Sequence, residues 1–246
     1  MLLKNRLVKE GNWLFRWRSY LPTAAIPLLL VAIDENAWPL HSHARHDLWD
    51  LACLLVSFAG LAVRVLAVAF APAGTSGRST KRQSAKTLNT TGLYSTVRNP
   101  LYLGNYLIAL GVVLTPMAWW LPVIYTLTFW LYYERIIMAE EAFLCERFGD
   151  AFTAWAEKTP PFVPRLSQWR PPAESFSLRS VLRREYTGLA LIILLHCGAE
   201  EFEHWIIERR LVVEPYWTAM LAFGVIAYFT LYGLKRHTIL LDAPGR

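Results

Sequence analysis

Cysteine is scarce in this 246-residue chain: Cys53, Cys145 and Cys197 are the whole complement, and no two stand in a C-x-x-C spacing. Cys53 and Cys197 fall inside apolar runs. Neither a disulfide framework nor a thiolate metal site is expected to organise the fold. Charge is also short. Asp, Glu, Lys and Arg make up 18% of the chain, against about 25% in a soluble domain. No internal repeat or low-complexity tract is present, so the fold has to come from non-repeating elements. The basic N-terminus leads to an apolar run with no small-residue cleavage site after it, so that run reads as a retained span and not a removed signal. The basic residues form no patch interleaved with aromatics, which argues against nucleic acid as a partner.

What is plentiful is apolar. Such residues reach 54% with a mean hydropathy of +0.28, against about 45–50% in soluble domains. They are bunched. A bilayer crossing needs roughly 20 apolar residues, and six runs approach that length: Trp13–Ile33, Leu48–Ala71, Leu101–Trp119, Trp120–Tyr133, Tyr186–Ala199 and Tyr216–Leu234. Thr115-Pro116-Met117-Ala118 predicts a tight break that makes the third and fourth runs a hairpin. Trp13, Trp119, Trp120, Tyr132, Tyr133 and Trp217 sit at run ends, where rings with a polar tip favour the membrane–water boundary.

Lys and Arg give an independent reading of topology. Residues 1–19 hold five, 34–47 one, 72–100 five, the tip near Pro116 none, 134–184 eight, 200–215 two and the tail after Leu234 three. This alternation keeps step with the runs and predicts an all-α, polytopic membrane protein of about six helices with both termini in the cytoplasm. The formal charge of +6 then reflects topology. Residues 72–92 read as a loop rich in Gly, Ser, Thr and basic residues. Residues 134–157 read as an amphipathic helix stopped by Thr159-Pro160-Pro161-Phe162-Val163-Pro164, and residues 165–184 as a polar, basic connector.

Two cytoplasmic segments concentrate chemistry. In Gly92-Leu93-Tyr94-Ser95-Thr96-Val97-Arg98-Asn99-Pro100-Leu101-Tyr102-Leu103-Gly104, Pro100 near a helix start leaves backbone N–H groups able to meet an anion, and Arg98 can fork onto a carboxylate. Glu134, Glu140 and Glu141 follow the fourth run; adjacent carboxylates at a membrane boundary need a cation or donor to offset them. An ordinary basic anchor and a solvated helix face are the plain alternatives.

The combined pattern is Gly92-x-Tyr94-x3-Arg98-Asn99-Pro100-x-Tyr102-x-Gly104, a hairpin, then Glu140-Glu141-x2-Leu144-x3-Phe148-Gly149-x2-Phe152-x2-Trp155 and Pro160 to Pro164. Over about residues 90–165 it resembles the isoprenylcysteine carboxyl methyltransferase and phospholipid methyltransferase superfamily of membrane enzymes. The resemblance implies S-adenosylmethionine as cofactor in a cytoplasmic pocket roofed by the helix after the hairpin, and a lipid or lipid-linked substrate entering from the bilayer. It implies that Arg98, Asn99 and Tyr102 line the active site, that Arg98, Tyr102, Glu140 and Glu141 hold the cofactor, and that residues 1–165 are the catalytic core. Three features depart from the family's pattern. Asn99 stands where His is usual and cannot serve as a base near neutral pH. Phe152 and Trp155 stand where Tyr is common, and residues 166–246 add a connector and two further runs.

Two other clusters invite a metal. His196, Glu200, Glu203 and His204 share a helix face, and His41-x-His43-x2-His46 lies on the same predicted side. The plain reading of the first is a polar cap paired with Arg209 and Arg210, and no metal is assigned to either. Arg64, inside the second run, must face the protein interior or snorkel, with Asp50 or a substrate anion as partner. Two other functions use the same chain differently: an NADPH-dependent sterol-type reductase, and a transporter or metal-handling protein built around His196 to His204.

Overall fold

The computed structural model describes residues 3–18, 20–36, 43–72, 74–75, 85–209 and 214–243. Eight α-helices carry the described chain: α1 (Leu3–Trp17), α2 (Ile26–Asn36), α3 (His43–Ala69), α4 (Pro100–Leu114), α5 (Trp120–Phe148), α6 (Asp150–Ala156), α7 (Leu178–Glu208) and α8 (Pro215–His237). The described residues contain no strand beyond one isolated bridge between Gly92 and Arg170. The fold is all-α, as the periodicity predicts.

The first apolar run departs from expectation. It is two helices joined by a 3-10 turn at Leu21–Ala25, not one rod. Pro22 and Pro27 lack the backbone N–H that a continuous helix needs. The turn lets α1 lie along α5, where Phe15 packs with Tyr102, Phe129, Tyr133 and Ile136. α2 packs separately, placing Ala32 against Ala118 and Leu121.

The hairpin forms where predicted, with α4 ending at Leu114 and α5 starting at Trp120. α5, however, does not stop at the membrane boundary. It continues unbroken into the stretch expected as a separate amphipathic helix, as far as Phe148 and roughly 43 Å in all, and α6 takes up the rest after a break at Gly149. α5 ends at Gly149, whose φ of 53° and ψ of −129° suit a residue without a Cβ. α7 likewise begins at Leu178, inside the expected connector, because Ser177 caps it by accepting from the Ser180 N–H.

α3 and α4 form the most extensive contact in the fold. They approach closely because the seam is built of small residues. A Cβ on Gly60 would stand 2.6 Å from Gly104 O and 2.6 Å from Ile108 N. Across the seam Ser57 Oγ donates to Ile108 O at 2.8 Å, and Trp49 Nε1 donates to Leu114 O at 2.9 Å. α7 then packs against α2, α3 and α4, and α8 against α7. The tail folds back, Asp242 pairing with Arg183 of α7.

Residues 45–69 of α3 and all of α8 are long and apolar enough to cross a bilayer, and α4 is apolar but only 15 residues long. Large apolar side chains are exposed on α2, α3, α5, α7 and α8, among them Leu28, Leu55, Leu127, Leu194 and Phe229. Water would penalise such a surface and lipid would not.

Substituting Gly60→Ala drives a Cβ into two backbone atoms of α4 and is expected to cost about 1–3 kcal/mol. Gly198→Ala, whose Cβ would meet nothing within 4 Å, is the neutral control. Thermal unfolding in detergent distinguishes them, and equal melting temperatures would contradict the close seam.

Candidate active site

The segment before α4 and the second half of α5 converge. Arg98 Nη1 stands 2.9 Å from Glu141 Oε1. Arg98 therefore meets a carboxylate belonging to the protein itself. The contact is close but off the hydrogen-bond axis: Arg98 Nε and Glu141 Oε1 are both buried and make no hydrogen bond. The helix start is less open to an anion than Pro100 suggests, because the N–H groups of Tyr102 and Leu103 both donate to Asn99 O. Asn99 does not cap α4 through its side chain; its Nδ2 donates to Pro161 O at 2.9 Å. Glu134 is exposed, apart from Glu140 and Glu141.

Glu140 and Tyr102 are electrostatic neighbours. Burial, with a smaller push from the Glu141 charge, raises the Glu140 carboxyl from 4.5 to about 7, against the pull of Tyr102 and Arg18. Burial also raises Glu141, and the Arg98 charge opposes it. Arg18, at the end of α1, is thus a cationic neighbour of the site and more than a topological anchor.

A lattice of main-chain bonds roofs this pair. Arg98 N donates to Pro160 O at 2.9 Å, Arg165 N to Thr96 O at 2.9 Å, and Gly92 N to Arg170 O at 3.0 Å. Trp155 Nε1 donates to Tyr94 O at 3.1 Å, so the indole N–H makes a polar contact at a position where the family commonly has a hydroxyl. Phe152 is buried beside it, the ring centroids 5.7 Å apart. The proline-bounded stretch thereby both stops α6 and closes over the Arg98 loop. Burial pushes the Tyr94 hydroxyl up to about 12, with the Glu140 charge adding to it.

Behind Tyr102 a polar chain runs into the bundle. Tyr102 packs on Tyr133, centroids 4.6 Å apart, and Asn105 Nδ2 donates to the Tyr133 hydroxyl at 3.4 Å. Asn105 Oδ1 accepts from Arg64 Nη1 at 2.6 Å. Arg64 forks onto Glu185, Nε to Oε2 at 2.7 Å and Nη2 to Oε1 at 2.9 Å. The expected partners of Arg64, Asp50 or a substrate anion, are replaced by Glu185 and Asn105. Asp50 lies nearly four turns away along α3, whereas α7 brings Glu185 alongside. Glu185 is the residue the motif could not reveal, since it lies beyond residue 165. Its signal was a carboxylate at the mouth of an apolar run, and Asn105 carried a similar one inside α4.

Within the His196-to-His204 face, His196, Glu200, Glu203 and His204 are all buried. Arg209 lies over the Trp205 ring at 5.8 Å, and Arg210 falls outside the described residues, as do His41 and the His43 side chain. His196 Nε2 meets Ser57 Oγ at 3.0 Å, whereas Glu203 meets His46 of α3.

The phospholipid methyltransferase family matches residues 51–151. A cobalt-zinc-cadmium resistance protein of Cupriavidus metallidurans is 31% identical over 161 residues, 65% of this chain and 69% of its own. A nickel-cobalt-cadmium resistance protein of Alcaligenes xylosoxydans xylosoxydans is 35% identical over 162 residues, 65% and 70% of the two chains. A protein-S-isoprenylcysteine O-methyltransferase of Saccharomyces cerevisiae is 32% identical over 169 residues, 63% and 67% of the two chains. No solved structure matches the chain.

Arg64→Ala strands the Glu185 carboxylate among apolar helices and is expected to cost about 3–5 kcal/mol. The double variant Arg64→Met with Glu185→Leu should recover most of that loss in thermal unfolding. No recovery would mean that the pair does more than neutralise itself.

Proposed function

The chain belongs to the isoprenylcysteine carboxyl methyltransferase and phospholipid methyltransferase superfamily, and from that membership we propose that it transfers a methyl group from S-adenosylmethionine to an anionic oxygen of a lipid or lipid-linked acceptor. The observation that carries this reading is the Arg98–Glu141 contact at 2.9 Å, with Glu140 one residue away. It gives one cation and two carboxylates at one spot, with Arg98 Nε and Glu141 Oε1 buried and still able to bond. A ligand bearing both a carboxylate and cationic groups fits that inventory. S-adenosylmethionine, when bound, supplies an electrophilic methyl on a sulfonium sulfur.

The residues then divide the work. Arg98 holds the amino acid carboxylate through a charge-assisted bond. Glu140 and Glu141 accept from the amino or ribose groups. Tyr102 orients Glu140. Asn99, tied to Pro161, keeps the roof closed and acts as no base. An acceptor that is already an anion, a carboxylate or phosphate, needs none, so positioning and exclusion of water carry the reaction. The isoprenylcysteine methyltransferase among the relatives supports a lipid-linked acceptor.

In this reading the protein is an integral, multi-pass membrane protein. α1 and α2 together, α3, α4, α5, α7 and α8 make six crossings, with the termini and the Arg98 loop on the cytoplasmic side, as the Lys and Arg alternation supports. Residues 1–165 form the catalytic core, and residues 166–246 buttress it through Glu185.

Arg98→Ala and Glu141→Gln should each weaken S-adenosylhomocysteine binding by about 10–100-fold while leaving a folded protein, the loss expected for one bond to a charged group. Calorimetry reads the affinity and thermal unfolding checks the fold. Stabilisation by NADPH in place of S-adenosylhomocysteine would select the reductase. Labelled cofactor with a total lipid extract then identifies the acceptor.

Binding should also strengthen as pH rises through about 7, because Glu140 must ionise to oppose a cationic ligand. The sign for folding is opposite: a carboxyl raised from 4.5 to about 7 costs the free protein stability as pH climbs through that window. Glu140→Gln should flatten both dependences. An unchanged pH profile of affinity would remove Glu140 from the site.

A further inference from the structure

At the other end of α3 and α7, roughly 27 Å along α3 from Arg64, lies a second polar centre that the methyl-transfer reading does not use. His46 and Asp50 of α3 and Glu200, Glu203 and His204 of α7 are all buried, between 3% and 6% exposed. Glu214, at the N-cap of α8, is half-buried against them. His46 Nδ1 stands 3.0 Å from Asp50 Oδ2, and His46 Nε2 stands 3.1 Å from Glu203 Oε1. His204 Nε2 stands 3.3 Å from Glu200 Oε1 and 3.6 Å from Glu214 Oε1.

Charge and geometry both ask for a cation here. Among the described residues of the cluster, four carboxylates face two imidazoles, so their own sum stays negative even with both rings protonated. Burial penalises that excess unless protons or a cation offset it. Asp50 Oδ2 is fully buried and, despite its nearness to His46, accepts no hydrogen bond. The ligand-type atoms of Glu200, His204 and Glu214 all lie within 4.8 Å of one another, as do those of His46, Asp50 and Glu200. With bonds of about 2.0–2.1 Å, adjacent ligands of a tetrahedral zinc ion stand about 3.3–3.4 Å apart. The two distances from His204 Nε2, 3.3 and 3.6 Å, bracket that edge closely. His46 is less suited as a ligand, since both its nitrogens already face carboxylates.

We propose that Glu200, His204 and Glu214 form a binding site for a divalent transition-metal ion of the zinc class, with Asp50 and His46 backing Glu200. Glu200 and His204 are one helical turn apart on α7, so the helix sets two ligands before any metal arrives. Glu214 is brought across by the connection to α8 and completes a three-residue set. The fourth position is left for water or another small ligand. The site uses none of Arg98, Tyr102, Glu140 or Glu141, so it stands or falls independently of methyl transfer. His196 belongs to the same helix face but takes no part, being engaged with Ser57.

The full chain, carrying no polyhistidine sequence, is titrated in detergent with Co2+ as a visible-absorption probe and then with Zn2+ as competitor. About one ion per chain is expected, with cobalt absorption displaced by zinc and a rise in melting temperature. His204→Ala and Glu214→Gln should weaken binding by about tenfold or more, and Arg98→Ala should leave it unchanged. Failure of the wild-type chain to retain either ion, or to develop cobalt absorption, overturns the site whether or not the variants fold. Undiminished binding by folded His204→Ala overturns it equally, leaving the cluster as a proton-neutralised network.

Discussion

Arg64 lies within the long apolar helix α3, where a charge is costly unless the protein supplies a partner. Glu185 supplies the counter-charge at 2.7 and 2.9 Å, and Asn105 Oδ1 accepts a further hydrogen bond at 2.6 Å. That requirement ties three helices together. α4 must approach closely enough for Asn105 to reach, which the Gly60 seam permits. α7 must lie alongside α3, which makes the C-terminal segment part of the bundle. Ser57 with His196, and His46 with Glu203, repeat the same rule further along the two helices.

The Arg98–Glu141 pair depends on this frame at one remove. α4 carries the arginine loop at its start, and α5 carries the glutamates well beyond the hairpin. Neither helix could aim its charge without the other, and α1 joins them through Phe15 at the cluster beneath. The proline-bounded stretch holds the loop from above by main-chain bonds, which are indifferent to side-chain identity. This explains how Asn can occupy position 99 without loss of the roof: an amide donor to Pro161 O is all the contact asks for.

Much of this was legible in the residues. The hairpin at Pro116, the helix start at Pro100, the common helix face of His196 to His204 and the shared location of Arg98 and Glu141 all follow from spacing and motif. The misreadings have local causes. A run of apolar residues from Trp13 to Ile33 has no feature in its hydropathy to show that two prolines split it. A charged stretch after Tyr133 looks like a new helix, although only Gly149 can end the old one.

Sequence alone determined the helical periods and the membrane character, because each is a property of neighbouring residues and their side-chain chemistry. Tertiary structure alone decided the partners: Glu185 for Arg64, Glu203 for His46, Glu214 for His204. The first two pairs lie far apart in the chain and the third spans a helix connection, and a buried charge accepts whichever opposite group the packing of helices delivers within about 3–4 Å.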